Sequence, residues 1–369
     1  MKTSRTRNGR QRMAMAALWA LSAAAGCSAV NEGDDDDGAT DADADADTDA
    51  DTDGDADADA DGDTDTETET DTGAEPIVID CSDCPGTGGN LQNMVCAIDL
   101  CDANAVLNQS YTTPCNFTGC TLEDTYEAVA QFGDAVNDLA PRLGDSYALM
   151  ASGIATGTNH TTSCASGCSA DDPWDVTYKT NDVVDWRLIL KAPDEAKAFR
   201  FKYVFFSEEY DEWISSSFND KFYAVLEAGS TNGGNPTVIN FTACRDPNSY
   251  YDFICEAGDT ACEEGVKYCY VAINTSLSEC CWYNACPDGI WTTDIAGTGY
   301  SCAADSGNDS SNTGSSTGWL QTSWPIDGGE TFAITFHVHD TSDAILDSQV
   351  ILDSFQFLKD PEQGTVPVE

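Results

Sequence analysis

Apolar and polar residues alternate most clearly over Lys197–Ser207, "KAFRFKYVFFS", where Phe199, Phe201, Tyr203 and Phe205 interleave with Ala198, Arg200, Lys202 and Val204. A period of two predicts a strand with one buried face. Phe332, Ile334 and Phe336 repeat the rhythm within Thr331–Asp340. Trp186–Ala192, Lys221–Gly229 and Gln349–Leu358 have the β-branched and aromatic make-up of further strands. A helical period is read at "TLEDTYEAVAQFGDAVNDLA" (Thr121–Ala140). Thr121 and Asp124 have capping-box spacing there, and Tyr126, Val129, Phe132 and Val136 share one face.

Between Phe241 and Thr317 neither rhythm holds. Cys244, Cys255, Cys262, Cys269, Cys280, Cys281, Cys286 and Cys302 fall in this interval, which closes in the flexible "DSGNDSSNTGSSTG". The expectation is a disulfide-stapled insertion, about 241–317, between sheet strands. Its aromatic residues either pack beneath it, as a small stapled module requires, or present a stacking platform for sugars. The whole of 76–369, roughly 290 residues, is long enough for a substantial core. The fold expected is mostly β: a jelly-roll-like β-sandwich carrying this disulfide-rich insertion.

Ahead of the domain, residues 1–26 have the form of a secretory signal. Lys2, Arg5, Arg7, Arg10 and Arg12 precede the apolar run in "MAMAALWALSAAAGC". That run is far shorter than the roughly 20 residues a membrane span needs. Its end, "AAGC", resembles the lipobox of bacterial lipoproteins, with Ala24 where that motif usually has Leu. The resemblance implies lipidation of Cys27. Ordinary cleavage with a spare thiol at Cys27 is the alternative. Of 17 cysteines, setting Cys27 aside leaves 16, an even number that suits up to eight disulfides in a secreted chain. Cys81 and Cys84 are spaced like half a zinc site or a redox pair, but a secreted chain with no nearby ligand set favours structural disulfides.

Charge divides the chain into zones. The formal net charge is −49, from 65 acidic and 16 basic residues. Glu32–Glu75 contains 22 of the acids and no Lys or Arg, in low-complexity Asp-Ala/Thr sequence. With nothing large to bury and like charges repelling, residues 27–75 read as a disordered acidic stalk. Asp57, Asp59, Asp61 and Gly62 imitate the start of an EF-hand loop, but Thr68 holds the position of its closing Glu, and no amphipathic helix flanks it. The remaining 43 acids and 11 basic residues give the domain a balance of −32. Such a surface repels nucleic acid and anionic membranes, leaving the N-terminal lipid as the expected membrane contact.

"FRFKYVFFSEEYDEWISSSFNDKFYAVL" resembles the hallmark of the choice-of-anchor L domain family. The matching positions are Ser207, Glu208, Glu209 and Tyr210, then Phe218, Asn219, Asp220 and Phe222. "HDTSDAILDSQVILDSFQF" is similar to the family's closing segment, and "MVCAIDLCDANAVLNQSY" fits its opening more loosely. The resemblance implies a β-sandwich on a bacterial surface with no established enzymatic activity.

Glu208 and Glu209 follow one strand, Asn219 and Asp220 precede the next, and Asp340, Asp343 and Asp347 flank another strand end. If the strands pair, these hard oxygen ligands gather at one end of the sheet. Lys221 is the only nearby cation. Calcium, which takes six to eight oxygens in irregular loops, is one answer to that repulsion. Turn capping, with Glu208 and Asp220 accepting backbone N–H groups, is another, and catalysis is a third. Trp213 is the candidate exposed aromatic contact, with Tyr210 beside it.

Enzyme motifs are weak. Adjacent Glu208 and Glu209 would point to opposite faces of a strand. Gly314-x-Ser316-x-Gly318 matches a hydrolase elbow in letters, with no apolar strand before it. His337 and His339 share a strand face by spacing, without a visible third metal ligand, and so read as strand-surface residues. No phosphate-cradling loop or dinucleotide fingerprint is present. The expectation is a non-enzymatic lipoprotein anchored at the bacterial outer membrane and cell surface, binding a glycan, matrix or surface protein with calcium steadying its loops. A secreted polysaccharide hydrolase and a structural surface-layer component are the alternatives.

Overall fold

The computed structural model describes residues 74–79, 81, 84, 86–102, 104–133, 139–158, 160, 164–166, 170–174, 179–209, 217–243, 268–272, 297–300 and 314–368. The signal segment with Cys27, nearly all of the stalk, Tyr210, Trp213, and every insertion cysteine except Cys269 lie outside them.

The chain enters through helix α1 (Leu91–Ala97), then strands β1 (Val106–Thr112), β2 (Phe117–Thr118), β3 (Tyr126–Val129), β4 (Tyr147–Ala151), β5 (Ala165–Ser166) and β6 (Ala170–Asp171). Two long strands, β7 (Lys179–Lys191) and β8 (Ala198–Ser207), lead to β9 (Lys221–Glu227), β10 (Thr237–Val238), β11 (Phe241–Ala243) and β12 (Tyr268–Ala272). The last five are β13 (Ser315–Ser316), β14 (Leu320–Pro325), β15 (Thr331–Thr341), β16 (Ser348–Leu358) and β17 (Gly364–Pro367).

They form two large antiparallel sheets. One has the order β1-β7-β15-β9-β12-β11, with β6 added to β7 and β10 to β9; the other runs β17-β14-β8-β16-β4-β3, with β13 added to β8. Aromatic side chains lock the sheets face to face. Phe199 stacks on Phe332, Phe201 meets Phe336 edge-on at 5.2 Å, and Tyr203 lies 5.0 Å from Phe222. Buried rings in such offset and edge contacts contribute beyond the area they remove from water. The mostly β, sandwich-like fold expected from the period-two runs is what the chain adopts.

Two expectations need correction. Strand β8 is buried on both sides. Phe199, Phe201, Tyr203 and Phe205 enter the core between the sheets, while Val204 and Phe206 enter a second cluster with Phe132, Leu139, Tyr147, Tyr300 and Trp319. Apolar residues at Val204 and Phe206 broke the alternation and were the sign of this third layer. The helix expected over Thr121–Ala140 is also replaced. Thr121 and Asp124 do cap each other, but the turn is one 3-10 segment, Leu122–Thr125, and β3 follows at once. Tyr126 and Ala128 point into the core while β3 pairs with β4, so sheet pairing overrides the helical spacing. Phe132 does reach a core, and Val136 lies outside the described residues.

Helix α1, which no motif announced, is capped by Asn90, whose Oδ1 accepts the Asn93 N–H at 2.9 Å. Cys84–Cys96 and Cys81–Cys101 tie the segment ahead of it to its C-terminal end and the turn beyond, and Cys120–Cys164 joins the next loops. Cys81 and Cys84 are thus structural, each bonded to a different partner. Cys84, Cys96 and Cys101 have sulfurs close together, but all three are committed to disulfides.

Between the staples, Asp99 sits at φ 65 and faces Asp353 at the bulge of β16, where Ser354 has φ 54. Asp353 accepts the Arg142 N–H at 2.6 Å and the Ser354 N–H at 2.5 Å. Burial, and then the Asp353 carboxylate, push Asp99 up to about 8; burial also raises Asp353, to about 6. The pair therefore holds a proton to higher pH in the folded chain than in the unfolded chain. That contribution to stability is present at low pH and is lost as pH rises from about 4 to about 8. Asp99→Asn supplies a neutral donor at every pH and suits the left-handed backbone. Its denaturation midpoint should fall less than that of wild type between pH 6 and 8 and exceed it above pH 8; parallel midpoint curves would exclude a proton held by the pair.

Candidate functional site

Register alone brings the acidic segments together. Ser207, the last residue of β8, pairs with Ser348, the first of β16. Lys221, the first of β9, pairs with His339 on β15, so Asp220 and Asp340 lie beside each other at one end of the sandwich. Glu208, Glu209, Asn219, Asp220, Asp340 and Asp347 are all buried there. Asp343 is half-buried at the rim, where it caps the Ile345 N–H.

Asp220 is the centre of this end. Its Oδ1 accepts the Thr341 N–H at 2.8 Å, and its Oδ2 accepts the hydroxyls of Ser348 at 2.6 Å and Ser207 at 3.4 Å. Thr341 belongs to one sheet, and Ser207 and Ser348 to the other. Ser152 closes the ring, giving Ser348 a hydroxyl acceptor at 2.8 Å. The Asn219 carbonyl accepts the Thr341 hydroxyl at 2.8 Å. Asp220 thus accepts one backbone N–H, but from the distant strand end at Thr341 rather than within its own turn, and its other donors are hydroxyls of the opposite sheet.

The other acids are not so well served. Both oxygens of Asp340, which is fully buried, and Oε2 of Glu209 have no hydrogen-bond partner. Burial, then Asp220, Asp182 and Asp347, hold Asp340 well above the usual carboxylate range; the Ser152 hydroxyl, outside hydrogen-bond geometry, offsets little of this. Burial, then Asp220, raise Glu209 likewise. Asp220 rises to about 7 through burial, against the pull of Ser348 and Thr341. Among the described residues no Lys, Arg or His forms an ion pair with Glu209, Asp220 or Asp340. Lys221, the expected neutraliser, turns to the opposite face of its strand, where its ammonium lies 3.6 Å from Asp172.

Such a group of acids needs a proton or a cation, since unpaired buried carboxylates are strongly disfavoured. All-oxygen donors suit a hard divalent ion. The carboxylates are gathered rather than converged: among the described residues, no three bring oxygens within 4.8 Å of one another. Binding would require side chains to rotate inward.

Two contributors had little or no signal in the sequence. Asp182, fully buried at φ 47 in the β7 bulge opposite Asp340, could have been suspected from an Asn-Asp pair inside an apolar run. Tyr300 comes from the cysteine-rich interval and stacks on His160 at 4.0 Å, its hydroxyl 3.4 Å from the Asp347 carbonyl. Gly314 holds the same interval against the site: a Cβ there would stand 2.6 Å from the Tyr300 ring and 2.7 Å from the Ser207 carbonyl, and its φ is 63. Ser316 lies in β13 along the edge of β8, not on a strand-to-helix elbow. Tyr210 and Trp213 lie outside the described residues.

A second polar cluster lies on the outer face of the other sheet. His337 and His339 share a face as their spacing required, but both are buried rather than at the strand surface, because Asp172 and Trp174 cover them. Asp185, His337 and His339 are linked in sequence, with ring nitrogens 2.7 Å from Asp185 Oδ1 and 2.8 Å from each other. Burial, then His337 and Lys221, keep His339 well below the usual histidine range, hence neutral.

Residues 193–357 match the family model of the choice-of-anchor L domain. The match contains Glu208 through Asp347 and leaves α1 and β1–β7 ahead of it. A choice-of-anchor domain points to a cell-surface anchored protein. No curated protein and no solved structure matches the chain.

Asp220→Ala removes one acceptor from three donors in both sheets. Leaving buried donors unpaired costs about 1–3 kcal/mol each, so the variant should lose at least about 2 kcal/mol in chemical denaturation. A loss within about 0.5 kcal/mol, ordinary for a surface position, would remove Asp220 from the centre of the fold.

Proposed function

We propose that this protein, which carries a choice-of-anchor L domain, is a lipid-anchored surface module whose calcium-steadied loop end binds a glycan or another surface protein. Lipid on Cys27 holds it to the outer membrane. The acidic Asp-Ala/Thr segment between Cys27 and the domain serves as a spacer. The observation carrying the calcium reading is Asp340: a fully buried carboxylate, two oxygens without partners, among Glu209, Asp220, Asp182 and Asp347 with no described counter-charge on it. A divalent ion among these oxygens would relieve the repulsion in one step and tie β8, β9, β15 and β16 at the end where the acidic loops leave the sheets.

Thermal unfolding of the chain, disulfides intact, in calcium and in chelator tests this. Calcium that binds the folded state alone adds about 2.7 kcal/mol at a hundredfold excess over Kd. The wild-type midpoint should rise accordingly. Asp340→Asn should abolish the rise and, by removing a buried charge, unfold later than wild type in chelator. A wild-type midpoint indifferent to calcium, or a full response in Asp340→Asn, defeats the reading. Saturable glycan binding in calcium without turnover would establish adhesion.

A further inference from the structure

Lys221 and Asp172 are almost completely buried, at 0% and 2% exposure, with Nζ 3.6 Å from Oδ2. Charge-assisted N–H···O bonds close to about 2.7–2.9 Å, so this is not a tight ion pair. The groups around Asp172 are each placed for a role. Its Oδ1 accepts the Trp174 backbone N–H at 2.8 Å. Its Oδ2 accepts the Tyr223 hydroxyl at 2.8 Å and lies 3.7 Å from His339 Nε2, a buried nitrogen without a hydrogen-bond partner. Trp174 packs edge-on against Tyr223 at 5.1 Å and helps to enclose the cluster.

We propose that Lys221 and Asp172 condense to an intramolecular amide, an isopeptide cross-link between the start of β9 and the segment that follows β6. The pair reacts as amine and carboxylic acid, the form reached when one proton passes from the ammonium to the carboxylate. Nζ attacks Cγ and a C–N bond forms. The charge developing on Oδ1 is met by the Trp174 N–H, the role of a preorganised oxyanion donor. The bond from Cγ to Oδ2 then breaks, and Oδ2 leaves as water, carrying its own proton and one from Nζ. His339 Nε2 is placed to carry that second proton, and the Tyr223 hydroxyl assists departure. One amide and one water result, with no oxidant or cofactor. Fixed proximity supplies the drive, since well-oriented intramolecular pairs reach effective molarities of about 10⁵–10⁸ M. The product also removes two charges from a dry site.

The cross-link would give an anchored domain a covalent tie at β9, independent of any cation at the neighbouring Asp220. Peptide mapping of the full chain, reduced, alkylated and digested with trypsin, tests it. The expected result is a branched peptide with the summed mass of the Asp172 and Lys221 peptides less one water. It should be uncut after Lys221, and fragmentation should place the branch on Asp172. Lys221→Arg should yield the two peptides separately. Separate, unmodified Asp172 and Lys221 peptides from folded wild-type protein, with cleavage after Lys221, overturn the proposal. So does a branch located on any other acid.

Discussion

One carboxylate holds the two sheets in register at their acidic end. Asp220 accepts hydrogen bonds from the Thr341 backbone N–H in one sheet and from the Ser207 and Ser348 hydroxyls in the other. The aromatic core between the sheets supplies most of the apolar burial, but hydrophobic contact is not directional. Hydrogen bonds to a buried acceptor are, and they determine which strand ends meet. The turn after β8, the entry to β9 and the loop between β15 and β16 all take their position from this residue.

The same arrangement creates an electrostatic burden. Strand ends that converge on Asp220 bring Glu208, Glu209, Asp340 and Asp347 with them, and the β7 bulge adds Asp182. In water such acids would repel weakly; out of water each must be protonated, hydrogen-bonded or paired with a cation. Asp220 is hydrogen-bonded. Asp340 is not, and it is the residue at which the fold and a bound ion would be linked. On the far side of β9, Lys221 meets Asp172 instead, so consecutive residues Asp220 and Lys221 serve two separate polar clusters through the simple alternation of a strand.

The cysteine-rich interval is not detached from this centre. Cys269 and its neighbours in β12 extend one sheet, and Tyr300 inserts between His160 and Phe206 next to the acids. Ring stacking and a hydroxyl near the Asp347 carbonyl at Tyr300, and close backbone approach at Gly314, join the later described stretches of the interval to the sandwich.

Several features were legible in the residues alone. Alternation at Phe199–Phe205 and Phe332–Phe336 identified the central strands, because a strand that buries one face must repeat every two residues. The clustering of Glu208, Glu209, Asn219, Asp220, Asp340 and Asp347 followed from those strands being neighbours, since residues at facing strand ends have nowhere else to go. Tertiary structure decided the rest. Tyr126 and Val129 have helical spacing yet form a strand, because pairing with β4 outweighs local preference. His337 and His339 carry no sign of burial in their own sequence; a cover contributed by Asp172 and Trp174, far away in the chain, makes it. Nor does any local pattern distinguish Asp220, which has three donors, from Asp340, which has none. Hydrogen-bond partners are a property of which strand ends meet, and that is set by the packing of two sheets rather than by any short run of residues.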